Sequence, residues 1–254
     1  MAEDLSSLAA GDEHYKAYVG PPLKYDLMGA LQFTLLTACG LRSEHYLCDI
    51  GCGSLRAGKL LIPYLEKGHY CGLEPNDWLV ADGFAKELGD EIKALKAPRF
   101  EHNANFAFGA FRQKFDFLIA QSIFSHAAPQ QIEKCLQEVA AVLQPSGWFL
   151  ATFVIGPKDY RGEEWVYPGC VEYRPETVKR FAQNAGLQAT ACSWPHPNGQ
   201  SWFLIHHPAE AARANELKDF SLKNYEFEPP TKAPKPPLKD RIAWHLKHRL
   251  GLKK

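Results

Sequence analysis

The sequence predicts an α/β domain: a mostly parallel sheet of seven strands that ends in an antiparallel hairpin, with helices on both faces. Three observations predict it. Between His45 and Ala185, short apolar runs alternate with stretches of helical spacing. The first run leads straight into a Gly51-Cys52-Gly53 turn. The last two runs, Gln188–Cys192 and Ser201–His206, are joined by a short connection carrying the turn signal His196-Pro197-Asn198-Gly199.

Taken in order, residues 22–39 place Met28, Leu31, Leu35 and Leu36 at helical spacing, and Gly40 ends that helix. His45–Ile50 is the first strand. Leu55–Leu65 returns to helical spacing, with Pro63 set to kink or loosen it. His69–Leu73 is the second strand and Asp77–Leu88 the second sheet-covering helix. Phe100–His102 is a weak third strand, and Phe115–Ala120 a strong fourth one. Gln130–Leu143 is amphipathic, Trp148–Val154 is the fifth strand, and Pro175–Ala185 is a helix stopped by Gly186. Alternating strands and helices require right-handed parallel crossovers, whereas a hairpin reverses the final strand.

The chain has 254 residues, enough for one α/β domain with tails. The division expected is an N-terminal helical cap (1–45), the main domain (46–207), a polar and Pro-rich linker (208–238) and a basic C-terminal helix (239–254). No apolar run approaches the roughly 20 residues needed to span a bilayer. The opening MAEDLSSLAAGDEH is acidic and polar, unlike a secretory leader. Seven cysteines, with no C-x-x-C pair, point to buried thiols in the reducing cytoplasm. A net charge of zero hides an asymmetry: Pro229–Lys254 holds eight Lys/Arg and one Asp, leaving the rest at −7. The main domain is therefore a poor nucleic-acid surface. In the tail, Ile242, Leu246 and Leu250 recur four apart among basic residues, beside Trp244. Such a helix lies on an anionic membrane, docks on an acidic partner, or packs back on its own acidic body.

The chemistry concentrates at Leu47-Cys48-Asp49-Ile50-Gly51-Cys52-Gly53-Ser54, between a strand and a helix, where open α/β sheets bind ligands. Gly51 and Gly53 let the backbone turn sharply and approach a ligand closely. An uncompensated carboxylate at Asp49 costs several kcal/mol, roughly, if buried, and a cationic ligand group is its natural partner. Glu74 ends the second strand, about where a carboxylate accepts hydrogen bonds from ribose hydroxyls. A nicotinamide fingerprint would need glycine where Arg56 stands.

These residues, with YCGLEP and AQSIFSHAAPQQIEKCLQEVAAVLQPSGWFLATF, resemble the motifs of class I methyltransferases that use S-adenosylmethionine (SAM). The resemblance spans roughly Leu47–His206. It implies the class I methyltransferase fold and SAM as cofactor. It places Asp49, Gly51 and Gly53 at the methionine end, Glu74 at the ribose, Asn103 near the adenine amine, and Gln121 beside the methionine. The family often has a third glycine where this chain has Leu55.

Methyl transfer needs a positioned nucleophile and, for a hydroxyl or protonated amine, a general base. His126, just past the fourth strand, is the first candidate; it equally fits a packing role under the following helix. Glu172, Tyr173 and His196 are further pocket-wall or surface candidates. The long connection Ile155–Tyr173 is expected to cover the acceptor, with Tyr18–Asp26 closing the other side and Tyr25 reaching cofactor or acceptor. A small-molecule acceptor is expected. A regulatory module that only binds SAM or a nucleoside, and an aminopropyl transferase on the same fold, are the alternatives. No His/Asp/Glu cluster has metal-ligand spacing.

Overall fold

The computed structural model describes residues 4–221. Strands β1 (Leu47–Ile50), β2 (Tyr70–Leu73), β3 (Arg99–Glu101), β4 (Phe115–Ala120), β5 (Leu143–Ile155), β6 (Glu172–Tyr173), β7 (Gln188–Cys192) and β8 (Ser201–His206) form one sheet. Seven of them run in the order β3-β2-β1-β4-β5-β8-β7, and the two-residue β6 pairs with the end of β5. β8 is antiparallel to both β5 and β7, and the other neighbours are parallel. The architecture is the expected one, with β6 as an addition too short to show a period.

Helices α1 (Tyr25–Ala38), α2 (Gly58–Tyr64), α3 (Asp77–Gly83), α4 (Asp90–Lys96), α5 (Pro129–Val142), α6 (Pro175–Asn184) and α7 (Ala211–Leu217) connect or cover the strands. α5 buries Ile132, Cys135, Leu136 and Val139, the stripe that made it legible. α2 ends one residue past Pro63, since proline supplies no amide to continue the hydrogen-bond ladder. α3 passes into a π-helical turn over Phe84–Leu88. α4 buries no residue, so there was no apolar stripe to read. Its signal lay in charge instead, with Asp90 and Glu91 in the first turn and Lys93 and Lys96 in the last.

Side chains alternate across the central strands into two apolar layers. Leu118, Phe149 and Phe203 join Leu136 and Phe181 beneath α5 and α6. Ile119, Trp148 and Leu204 join Leu36 and Leu61 beneath α1 and α2. Each fully buried side chain of this kind contributes roughly 1.5–3 kcal/mol, so both faces of the sheet are anchored.

The organisation differs from expectation at both ends. Residues up to Ser221 form one compact unit, so 1–45 is not a separate cap. The linker expected over 208–238 does not begin at 208. Pro208–Glu210 makes a 3₁₀ turn and α7 follows it. Ala214 is fully buried, and Phe220 stacks on Trp194 with ring centroids 5.1 Å apart. The apolar positions that dock α7 are few and small, which made the segment read as polar. The rest of the linker and the basic helix at 239–254 lie outside the described residues. Among the described residues, no helix is long and apolar enough to cross a membrane.

Candidate active site

The turn after β1 is built on left-handed backbone. Gly51 and Gly53 have φ of +68° and +52°, values that glycine adopts without cost. Leu55, at the place of the missing third glycine, keeps the left-handed conformation at φ +63°. It is fully buried among the residues under α2. The departure from the family pattern therefore changes the side chain and leaves the path of the turn intact. A Cβ on Gly51 would lie 2.0 Å from Ile123 Cδ1, and one on Gly53 2.5 Å from Val19 Cγ1. The turn is thus covered from two sides, by the loop after β4 and by the N-terminal segment.

Beside this turn lies a cavity of about 520 Å³, within the usual size of a small-ligand site. Gly51, Gly53, Glu74, Asn103, Gln121 and His126 all line it. Glu74 is 6 % exposed. Its Oε2 accepts from Gly53 N at 3.0 Å, and its Oε1 accepts from Asn76 N and Nδ2, both at 3.0 Å. Burial raises its carboxyl above the usual range, and these donors partly offset that. Gln121 Nε2 lies 3.3 Å from Met28 Sδ, which leaves its carbonyl end available to the cavity.

Asp49 and Asn103 each already have a partner within the protein. Asp49 is 3 % exposed and stands behind the cavity wall, not on it. Its residue faces Gly72 across the β1–β2 ladder, on the same side as Tyr70. Tyr70 Oη donates to Asp49 Oδ2 at 2.9 Å. Burial pushes the Asp49 carboxyl up to about 6, against the pull of Tyr70 and Arg56. Asp49 is thus held from behind the turn by Tyr70. Asn103 reaches the wall, but Oδ1 accepts from Ala107 N and Nδ2 donates to Ala107 O, both at 3.1 Å. It closes its own loop, as asparagine side chains do, and keeps a second amide hydrogen and a second oxygen lone pair.

His126 is 9 % exposed and sits under the long connection between β5 and β6. Its Nδ1 lies 2.9 Å from Val166 O and 2.7 Å from Gly169 O. Two carbonyl acceptors require a proton on Nδ1, which leaves Nε2 with a free lone pair. Burial lowers the imidazole's pKa, so the neutral form prevails at pH 7. The same connection contributes Trp165, Tyr167 and Cys170 to the cavity wall. Tyr167 Oη donates to Tyr18 O, so this connection and the N-terminal segment meet over the site. The expected cover is present from both sides.

Other candidates stand elsewhere. Tyr25 is buried and donates to Ser54 O at 2.7 Å, so it braces the turn from behind. Tyr173 is a core residue donating to Ala127 O at 2.7 Å. His196 and Glu172 do not line the cavity. Conversely, Arg56 does, and donates to Val19 O at 2.8 Å. Gln131 and Gln200 also line it. Neither had a sequence signal, because each is brought to the wall by distant elements.

A sheet of this order, a glycine turn after its first strand and a carboxylate ending its second define a class I methyltransferase. Residues 48–149 match the family model described as a methyltransferase domain. Over that stretch the chain carries a methyltransferase domain. Solved structures of the same fold include magnesium protoporphyrin IX methyltransferase (ChlM) from Synechocystis PCC 6803 with bound SAH, at 14 % identity and TM-score 0.53 over 72 % of this chain and 85 % of that one. A SAM-dependent methyltransferase from Clostridium acetobutylicum ATCC 824 matches at 12 % identity and TM-score 0.53, covering 72 % of this chain and 92 % of that one. The glycopeptide N-methyltransferase MtfA with S-adenosyl-L-homocysteine (SAH) matches at 13 % and 0.53, over 72 % and 90 %. At such identities the likeness is one of fold.

Proposed function

We propose that the protein methylates a hydroxyl group of a small molecule, with His126 as general base. The observation that carries this is the fixed tautomer of His126, which lines the same cavity as Glu74 and the glycine turn. When bound, SAM supplies a methyl group activated by its sulfonium. Glu74 accepts from the ribose hydroxyls, Gln121 offers a carbonyl to the methionyl ammonium, and Arg56 pairs with the methionyl carboxylate. His126 Nε2 would take the proton of the acceptor hydroxyl as that oxygen takes the methyl group that SAM would supply. Glu74 is the only carboxylate on the described cavity wall. Nothing there is left to hold an ammonium acceptor once Glu74 faces ribose, which supports a neutral hydroxyl over an amine.

The test is SAH release from the full chain with panels of hydroxyl and amine acceptors. SAM binding without turnover on any panel supports the regulatory alternative; turnover only with amines overturns the assignment of a hydroxyl. The cytoplasm is the compartment proposed, supported by seven free cysteines of which six are buried. For the basic tail we keep the membrane reading as a proposal on charge alone. The full chain should float with anionic vesicles at low salt and a chain ending at Ser221 should not, each basic residue contributing about 1 kcal/mol. Equal flotation overturns it.

A further inference from the structure

Two glutamines on the cavity wall are held by one end only. Gln131 Oε1 accepts from Ala128 N at 2.8 Å, capping α5. Gln200 Oε1 accepts from Thr152 Oγ1 at 2.6 Å, while Thr152 Oγ1 itself accepts from Ser122 N at 2.7 Å. In each case the partner is a donor, so the amide orientation follows from the network: oxygen inward, Nε2 outward. Neither Nε2 has an acceptor among the described residues, and both side chains line the cavity. With Nε2 of His126, the wall presents two anchored amide donors and one imidazole acceptor. Beside them, Trp165 is 42 % exposed and Tyr167 36 % exposed, with ring centroids 5.6 and 5.1 Å from that of His126.

We infer that Gln131 and Gln200 select the acceptor, and that the acceptor is a neutral saccharide-type polyol. This deepens the reading of the site given above and rests on it. Two outward amide donors call for a ligand with several oxygen acceptors around the reacting hydroxyl. A simple phenol offers one oxygen and leaves an amide unpaired, and a buried polar group without a partner is costly. Arg56, the one cation on the wall among the described residues, is assigned above to the methionyl carboxylate, so a uronate or phosphate acceptor finds no second cation. The aromatic faces meet the C–H face of a pyranose, while its hydroxyls meet the amides and the histidine.

The test uses full-length protein loaded with SAH and saturation-transfer NMR of methyl α-glucopyranoside, methyl α-mannopyranoside, their amino and uronate counterparts, and phenol. Gln131→Glu and Gln200→Glu keep the inward hydrogen bonds and turn each outward donor into an acceptor. Neutral glycosides should give transfer, and each variant should weaken their binding at least ten-fold while melting temperature and SAH affinity hold. Preference for phenol or the charged sugars, absence of any glycoside signal on SAH-loaded protein, or glycoside binding unchanged in both variants would each overturn the inference. Failure to bind SAH at all instead overturns the underlying reading of the cavity.

Discussion

Tyr70 Oη donates to Asp49 Oδ2 at 2.9 Å, and this is the only hydrogen bond to the Asp49 carboxylate among the described residues. Burial raises the carboxyl from the usual 3.8 to about 6. Its folded state therefore holds a proton more tightly than the unfolded one. Asp49 leaves stability untouched below about pH 4 and lowers it progressively up to about pH 6, with the full cost present above that. The cost is on the order of 2–3 kcal/mol. Asp49→Asn keeps an acceptor for Tyr70 and removes the charge. The variant should melt higher than the native protein at pH 8, and the difference should shrink as pH falls below 6. A constant difference from pH 8 to pH 5 would contradict this account. Because Asp49 stands behind the wall, SAH affinity should fall less than it does for a change at Glu74.

At Glu74, both oxygens are met by N–H groups from the turn and from Asn76. Glu74→Gln forces an amide NH₂ against one of these donors and removes a charged acceptor. SAM affinity should fall by about 1–3 kcal/mol, roughly five- to 150-fold. Isothermal titration measures it directly, and affinity within two-fold of native would remove Glu74 from the site.

His126→Ala should lower kcat by about 10²–10⁴-fold, the usual span for a general base, with SAH affinity unchanged. Only the neutral imidazole accepts a proton. Its pKa is lowered from 6.5 by burial, so native activity should persist through pH 6.5 and fall on an acid limb below it. A pH–rate profile with its acid limb above 6.5, or a native-like limb in the alanine variant, would rule out the role.

Leu55 in left-handed backbone sets strain against burial. Leu55→Gly relieves about 1–2 kcal/mol of backbone strain but empties a site whose loss costs about 2–5 kcal/mol. The net expectation is destabilisation of about 1–3 kcal/mol, read from the urea midpoint. A variant more stable than the native chain would show that the strain dominates.

The sheet and the glycine turn were legible because both are written in local sequence. Continuous apolar runs such as Phe115–Ala120 and the helical stripe of α5 each carry their own signal. So do Gly51 and Gly53, where only the backbone's handedness is at stake. What escaped depends on pairing across the chain. Asp49 is paired with Tyr70, which stands beside it in the neighbouring strand, 21 residues on. Asn103 spends its amide on a loop four residues ahead. Gln200 reaches the wall only because β8 lies against β5, where Thr152 fixes its orientation. α7 was hidden by its small docking residues.

Both carbonyls that hold His126 Nδ1 belong to the connection that also roofs the cavity, at Val166 and Gly169. Val166 N donates to His126 O and Val171 N to Ser125 O, each at 2.8 Å, stitching the same strip to the residues around the histidine. The base is therefore armed by the roof. The tautomer of His126 is set by backbone of the strip, and loss of those two carbonyls would free the proton to sit on either ring nitrogen. Damage to the strip should accordingly appear in turnover and resist rescue by raising the acceptor concentration.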